Sequence, residues 1–268
     1  MLNKLFSKIV KFLILIFSGF RRNQKIISDL IVWLNIQQGR NAPVTNEMEV
    51  RYVKEFLNVD DDNVILDVGA HKGKYTEEVL KHLPNSKLFL FEPLKSNFEY
   101  LCEKFKNSEN VKIYNYSLSD KVGEKTIYFN TIGDSQATLT KREEPHRKKF
   151  FTKSEVVKSN KLSAFWDSEL DNNKIDLLKL DIEGEEFAVL SDIAVNLSKI
   201  KLIQFEIGEA NIATKIFFKD FWEILQESKF KIFRYTHFNQ LIQVKNYSEY
   251  EEFFRYSNYL AVNKNFYK

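Results

Sequence analysis

Val64-Ile65-Leu66-Asp67-Val68-Gly69-Ala70-His71-Lys72-Gly73-Lys74-Tyr75-Thr76 decides the fold of this chain. Five residues that suit a buried strand run into a glycine turn, and amphipathic spacing resumes at once, predicting a helix over Lys74–His82. Gly69 and Gly73 permit positive φ and a close approach of ligand to backbone. A strand–turn–helix of this kind opens a doubly wound α/β sheet, whose ligands sit at the carboxyl ends of the strands where strand order reverses.

The spacing selects the ligand. Dinucleotide sites read G-x-G-x-x-G and draw a pyrophosphate to the helix N-terminus. Here the turn is G-x-x-x-G with Asp67 before it, and the phosphate-loop pattern G-x-x-x-x-G-K-[ST] is absent. An acid at this point suits a cationic ligand such as S-adenosylmethionine and repels a pyrophosphate. Glu92-Pro93 follows about 25 residues later at the next strand end, where a carboxylate can accept hydrogen bonds from ribose hydroxyls. After the third strand, Ser117–Asp120 is expected near the adenine, serving through backbone groups, although a plain turn explains the stretch equally well.

Working outward, strands are expected near Val64–Val68, Lys87–Phe91, Val111–Asn115, Ile175–Asp181 and Leu202–Ile207, with two late ones near Lys231–Tyr235 and Tyr259–Val262. Helices are expected near Lys74–His82, Ser96–Phe105, Glu185–Leu190 and Phe217–Glu227. Two extra strands, Glu124–Asn130 and Glu155–Lys158, interrupt the alternation. Between them Lys141–Lys149, KREEPHRKK, reads as a solvated loop, with a lid over an anionic acceptor as the alternative.

Residues 1–42 differ from the remainder, 43–268. Residues 1–40 hold seven Lys or Arg against one acid, Asp29. Leu2, Leu5, Phe6, Ile9, Phe12, Leu13, Ile16, Phe17 and Phe20 form one apolar stripe, with Lys4, Lys8 and Lys11 on the other side, and a second apolar helix covers about Ile26–Leu34. The uninterrupted apolar run is too short to span a bilayer, and no small-residue cleavage site follows it. Two readings stay open: peripheral contact of residues 1–35 with an anionic membrane surface, or packing across the rest of the chain or a partner subunit.

The net charge of +3 excludes the concentrated basic face of a nucleic-acid binder. One cysteine, Cys102, excludes an internal disulfide and a cysteine metal cluster; it reads as a small core residue. A cytoplasmic protein is expected, with the inner membrane surface as its peripheral option.

The fourth strand ends in Leu177-Leu178-Lys179-Leu180-Asp181-Ile182-Glu183-Gly184-Glu185-Glu186. Glu185 and Glu186 are explained by helix N-terminal electrostatics and Gly184 by the turn, but Asp181 at the strand end is not. With DVGAHKGKYT, FEP and LKLDIEGEE in this order, and Gln204–Gly208, Phe217–Trp222 and Asn258–Ala261 after them, the chain resembles the FkbM family of methyltransferases from about Asn63 to Asn263. The family pattern Gly-Gly-x-Asn-Ile-Asp-x-Arg differs here at Glu209, Ala213 and Lys215, on the expected acceptor side. The resemblance implies a Rossmann-like class I fold with a mostly parallel seven-stranded sheet, helices on both faces and one antiparallel edge strand. It also implies S-adenosyl-L-methionine as cofactor and O-methylation of sugars, glycans or natural products.

Cofactor-binding candidates are Asp67, Gly69, Ala70, His71, Gly73, Tyr75, Thr76, Glu92, Pro93, Ser117, Leu118 and Asp181. A hydroxyl acceptor must lose a proton, so a base is sought: Asp181 first, Glu206 second and His71 third, with a purely structural turn role set against His71. No metal site is expected, because Asp181, Glu183 and Glu206 form no dense ligand motif. The alternatives are a methyltransferase of a non-sugar or lipid-linked acceptor, a nicotinamide oxidoreductase, and a non-catalytic binding module at the membrane.

Overall fold

Neighbouring residues of a strand serve opposite faces of its sheet. In β1, Val64–Val68, Leu66 and Val68 join one apolar cluster and Ile65 the other. The computed structural model describes residues 2–131, 136–141, 151–236, 238 and 240–267, the side chains at 2–7, 13 and 16 excepted. The expectation for Lys141–Lys149 falls on residues 142–150 and lies outside the described residues, Lys141 apart.

Two helices, α1 (Leu2–Ser18) and α2 (Gln24–Gln37), flank a 3-10 turn at Arg21–Asn23. Then come α3 (Asn46–Lys54), β1, α4 (Lys74–His82), β2 (Lys87–Phe91), α5 (Lys95–Lys104) and β3 (Val111–Tyr114). An insertion follows, made of β4 (Ser117–Leu118), β5 (Gly123–Phe129) and β6 (Lys153–Asn160). The chain resumes with α6 (Leu162–Leu170), β7 (Ile175–Leu180), α7 (Glu186–Asp192), β8 (Ile200–Ile207), α8 (Ala210–Thr214), α9 (Phe218–Glu227), β9 (Phe230–Tyr235), β10 (Leu241–Val244) and β11 (Ser257–Asn263).

The main sheet has the order β10-β9-β11-β8-β7-β1-β2-β3, and the insertion forms a second sheet, β4-β6-β5. Strands β3, β2, β1, β7 and β8 are parallel, while β11 is antiparallel to both β8 and β9. The sheet therefore has eight strands where seven were expected. Antiparallel β10 takes the outer edge beside β9, and antiparallel β11 lies inside. Strand β10 eludes the pattern because only Val244 of its four residues is buried.

Chain order reverses between β1 and β7: β2 and β3 lie on one side of β1, and β7 begins the other half. Loops there leave the sheet in opposite directions, which opens a crevice at the carboxyl ends of the two strands. One face of the sheet is covered by α6, α7 and α9 through Phe165, Trp166, Leu190 and Phe221. The other is covered by α3, α4 and α5 through Val50, Val53, Val79 and Leu101. Neither α3 nor α6 was expected from the sequence. Helix α3 starts at Thr45, whose hydroxyl accepts the Met48 N–H at 3.3 Å. Cys102 is exposed, against expectation, because α5 turns Asn97 and Leu101 inward and the next residue lies a further 100° round the helix.

Candidate functional site

The turn after β1 is built by contact with the end of β7. Gly69 has φ +87°, and a Cβ there would lie 2.0 Å from the Asp181 carbonyl oxygen. Gly69 and Ala70 donate their N–H groups to the Phe91 carbonyl, at 3.0 and 3.1 Å. Three strand ends thus meet at one glycine. Gly73, φ +67°, caps α4, and a Cβ there would strike the Phe105 ring at 2.6 Å. Both glycines adopt the expected positive φ, but backbone and side-chain packing within the protein already accounts for their missing Cβ.

A cleft opens beside this turn. Of the residues expected to bind, Gly69, His71, Glu92, Pro93, Ser117, Leu118 and Asp181 line it. Asn97, Tyr116, Ile127, Leu139 and Glu183 also line it, and the sequence reading did not name them as cofactor ligands. Ile127 and Leu139 come from the insertion, whose part in the site no local motif signals.

Glu92 is buried, and its carboxylate organises the wall. One oxygen accepts the His71 N–H at 2.9 Å, and the other accepts the Leu94 N–H at 2.9 Å. Burial pushes its pKa up to about 7, against the lowering effect of those hydrogen bonds. His71 stands in the left-handed region, φ +50°, at the cleft wall.

Asp67, Ala70, Gly73, Tyr75, Thr76 and Glu206 do not line the cleft. Asp67 is fully buried; it accepts the Thr76 hydroxyl at 2.7 Å and pairs with Lys179 Nζ at 3.3 Å. The register dictates this pair, because β1 and β7 set Asp67 directly beside Lys179. Lys179 reaches Asp181 as well, also at 3.3 Å, and lies over the Tyr75 ring. Burial disfavours its charge, but Asp181, Asp67 and Glu49 outweigh that and hold its pKa above the ordinary lysine value. Gln204 continues the row from β8, bonding the hydroxyls of Tyr75 and Tyr235. A buried polar layer therefore underlies the cleft and fixes Asp181 from below. A lysine amid Leu177, Leu178 and Leu180 was the available signal, since a buried cation requires partners.

Asp181 is half exposed at the cleft wall. Glu206 is half-buried, and burial, followed by the nearby charges of Asp181, Glu183, Glu186 and Glu49, holds its pKa well above the usual carboxylate range. Glu186 does more than favour a helix terminus: its buried carboxylate turns back to accept the Ile182 and Gly184 N–H groups, each at 2.9 Å. That clamp holds the loop after Asp181, in which Glu183 has φ +52°. Glu185 pairs with Lys125 of the insertion at 2.9 Å. Among the described residues, no group of three or more His, Cys, Asp or Glu is arranged to hold a metal ion.

The donor set fits an adenosyl sulfonium. Leu118, Ile127 and Leu139 offer apolar surface for a base, Glu92 a carboxylate for ribose hydroxyls, and Asp181 a negative charge for the ammonium end.

Residues 67–232, more than half of the chain, match the methyltransferase FkbM domain. The 2-O-methyltransferase NoeI of Sinorhizobium fredii (strain NBRC 101917 / NGR234) is 24% identical over 185 residues, which cover 65% of this chain and 75% of that protein. Among solved structures, an S-adenosylmethionine-dependent O-methyltransferase of Thermotoga maritima is similar at 13% identity and TM-score 0.43, covering 83% of this chain and 67% of that one. A methyltransferase-like protein of Streptococcus mutans in complex with SAH is similar at 10% identity and TM-score 0.44, covering 82% and 98%.

Proposed function

We propose O-methylation of a sugar hydroxyl, from the premise that this chain belongs to the FkbM family of S-adenosylmethionine-dependent methyltransferases. S-adenosylmethionine, when bound, supplies an electrophilic methyl group on its sulfonium. The protein's own task is to align an acceptor oxygen and take up its proton.

One observation carries this reading: Asp181, half exposed on the cleft wall, is fixed by Lys179 at 3.3 Å while its strand end touches the Gly69 turn. A carboxylate so held can accept the hydroxyl proton as the oxygen–carbon bond forms. Glu92 is the partner for ribose hydroxyls, and the apolar side chains of Leu118, Ile127 and Leu139 exclude water from the base. Asp181 and Glu183 both line the cleft, and carboxylate oxygens there can accept from separate sugar hydroxyls. The name of the relative, a 2-O-methyltransferase, supports O-methylation.

The test is incubation of the full chain with methyl-labelled S-adenosylmethionine and a panel of oligosaccharides. Mass spectrometry should locate the label on a ring hydroxyl, and the modified diol should resist periodate. Label found only on nitrogen, carboxylate or non-sugar acceptors would refute the sugar assignment.

A further inference from the structure

Helix α2 buries no side chain, although it carries Ile26, Leu30, Ile31, Val32, Trp33 and Leu34. All six are exposed, Trp33 by 55%. Upstream, Ile9, Phe12, Ile14, Leu15, Phe17 and Phe20 are exposed as well. More large apolar side chains lie open between Ile9 and Leu34 than in all other described residues together. A helix that served the core would hide such a stripe, and large exposed apolar patches mark interaction surfaces.

The pair is nevertheless tied to the domain at its far end. Arg234 donates to the Gln38 carbonyl at 2.7 Å, and the Asn41 N–H donates to the Tyr256 carbonyl at 2.9 Å. Gly39 has φ +84°, and a Cβ there would lie 1.9 Å from the Tyr235 carbonyl oxygen. The residues just after α2 are thus fixed on β9, while the described apolar side chains of α1 and those of α2 stay exposed.

Charge decides the occupant. Lys4, Lys8, Lys11, Arg21, Arg22 and Lys25 stand against Asp29 alone in this segment. A second copy of the chain would bring the same positive charge to a shared face, and like charges repel. An anionic lipid surface supplies the opposite charge together with an apolar layer beneath it. No described helix is long and apolar enough to cross a membrane, which leaves a position in the interface plane. We propose that residues 8–37 form a monotopic docking surface that lays α1 and α2 into the headgroup region of an anionic bilayer.

The experiment uses the full chain and extruded vesicles, either phosphatidylcholine alone or phosphatidylcholine with phosphatidylglycerol. Co-sedimentation should favour the phosphatidylglycerol vesicles, and salt should weaken it. The triple variant R21Q/R22Q/K25Q should lose at least about tenfold in partition to anionic vesicles, since each basic residue contributes electrostatically. The variant I31S/W33S should lose binding to both vesicle types. Both variants replace exposed side chains, so S-adenosylhomocysteine affinity should stay unchanged and report an intact fold. Equal pellet recovery with and without vesicles would overturn the proposal. So would a stable dimer, seen in solution, that I31S/W33S dissociates, because the apolar face would then belong to a second copy.

Discussion

Replacing Lys179 by methionine removes the one cation of the buried layer and keeps its volume. In the native protein Lys179 Nζ lies 3.3 Å from Asp67 and 3.3 Å from Asp181. At an effective dielectric of about 20, each contact is worth roughly 5 kcal/mol of attraction before desolvation is charged against it. The two losses are unequal. Asp181 is half exposed, so water replaces most of what it loses. Asp67 is fully buried and would keep only the Thr76 hydroxyl at 2.7 Å. Stranding a buried carboxylate costs about 3–5 kcal/mol. For a chain of this size that lowers the melting temperature by roughly 6–10 °C. The double variant D67N/K179M leaves no stranded charge and should recover most of the loss, giving a coupling of at least about 2 kcal/mol. Chemical denaturation of wild type, both single variants and the double variant closes this cycle. A loss below about 1 kcal/mol for K179M, or strict additivity in the double variant, would refute the argument that the polar layer is an ion-paired unit.

Asp181→Ala should lose more in transfer rate, about 10²–10⁴ as expected for loss of a general base, than in affinity for S-adenosylhomocysteine; an unchanged rate removes Asp181 from the chemistry. Gly69→Ala should be destabilising, because φ +87° disfavours a side chain and its Cβ would sit 2.0 Å from the Asp181 carbonyl oxygen; a melting temperature equal to wild type contradicts this. Burial raises the Glu186 pKa from 4.5 to about 8, so its favourable contribution is complete below about pH 4.5 and is lost as pH rises through about 8. Glutamine at 186 does not titrate. The stability of wild type relative to E186Q should therefore fall between about pH 5 and pH 8, and a difference independent of pH would count against the assignment.

The parallel half of the sheet was legible because buried strands such as Val64–Val68 and Ile175–Leu180 are mostly apolar, interrupted by Asp67, Asp176 and Lys179, and end at glycine or acid. Strand β10 was not legible, since an edge strand with Ile242 and Gln243 exposed carries no pattern apart from its partner β9. At the site, local motifs placed Gly69, Glu92 and Asp181 on one cleft. They could not separate wall from foundation. Asp67 and Thr76 belong to the same motif as Gly69, yet they face the buried layer, and only the register of β1 against β7 shows that Lys179 completes it. The roles of Ile127 and Leu139 depend on how the insertion folds across the cleft, which is a long-range fact. Glu186 looked like a helix-start acid, but its carboxylate is occupied by the Ile182 and Gly184 amides, four and two residues back.

Isothermal titration of the full chain with S-adenosylhomocysteine is the most direct trial of a cofactor cleft bounded by Glu92 and Asp181. One molecule should bind per chain, and Glu92→Ala should weaken binding at least about tenfold, the loss of hydrogen bonds to a charged group. Absence of binding to the wild-type protein, or full affinity in Glu92→Ala, would contradict it.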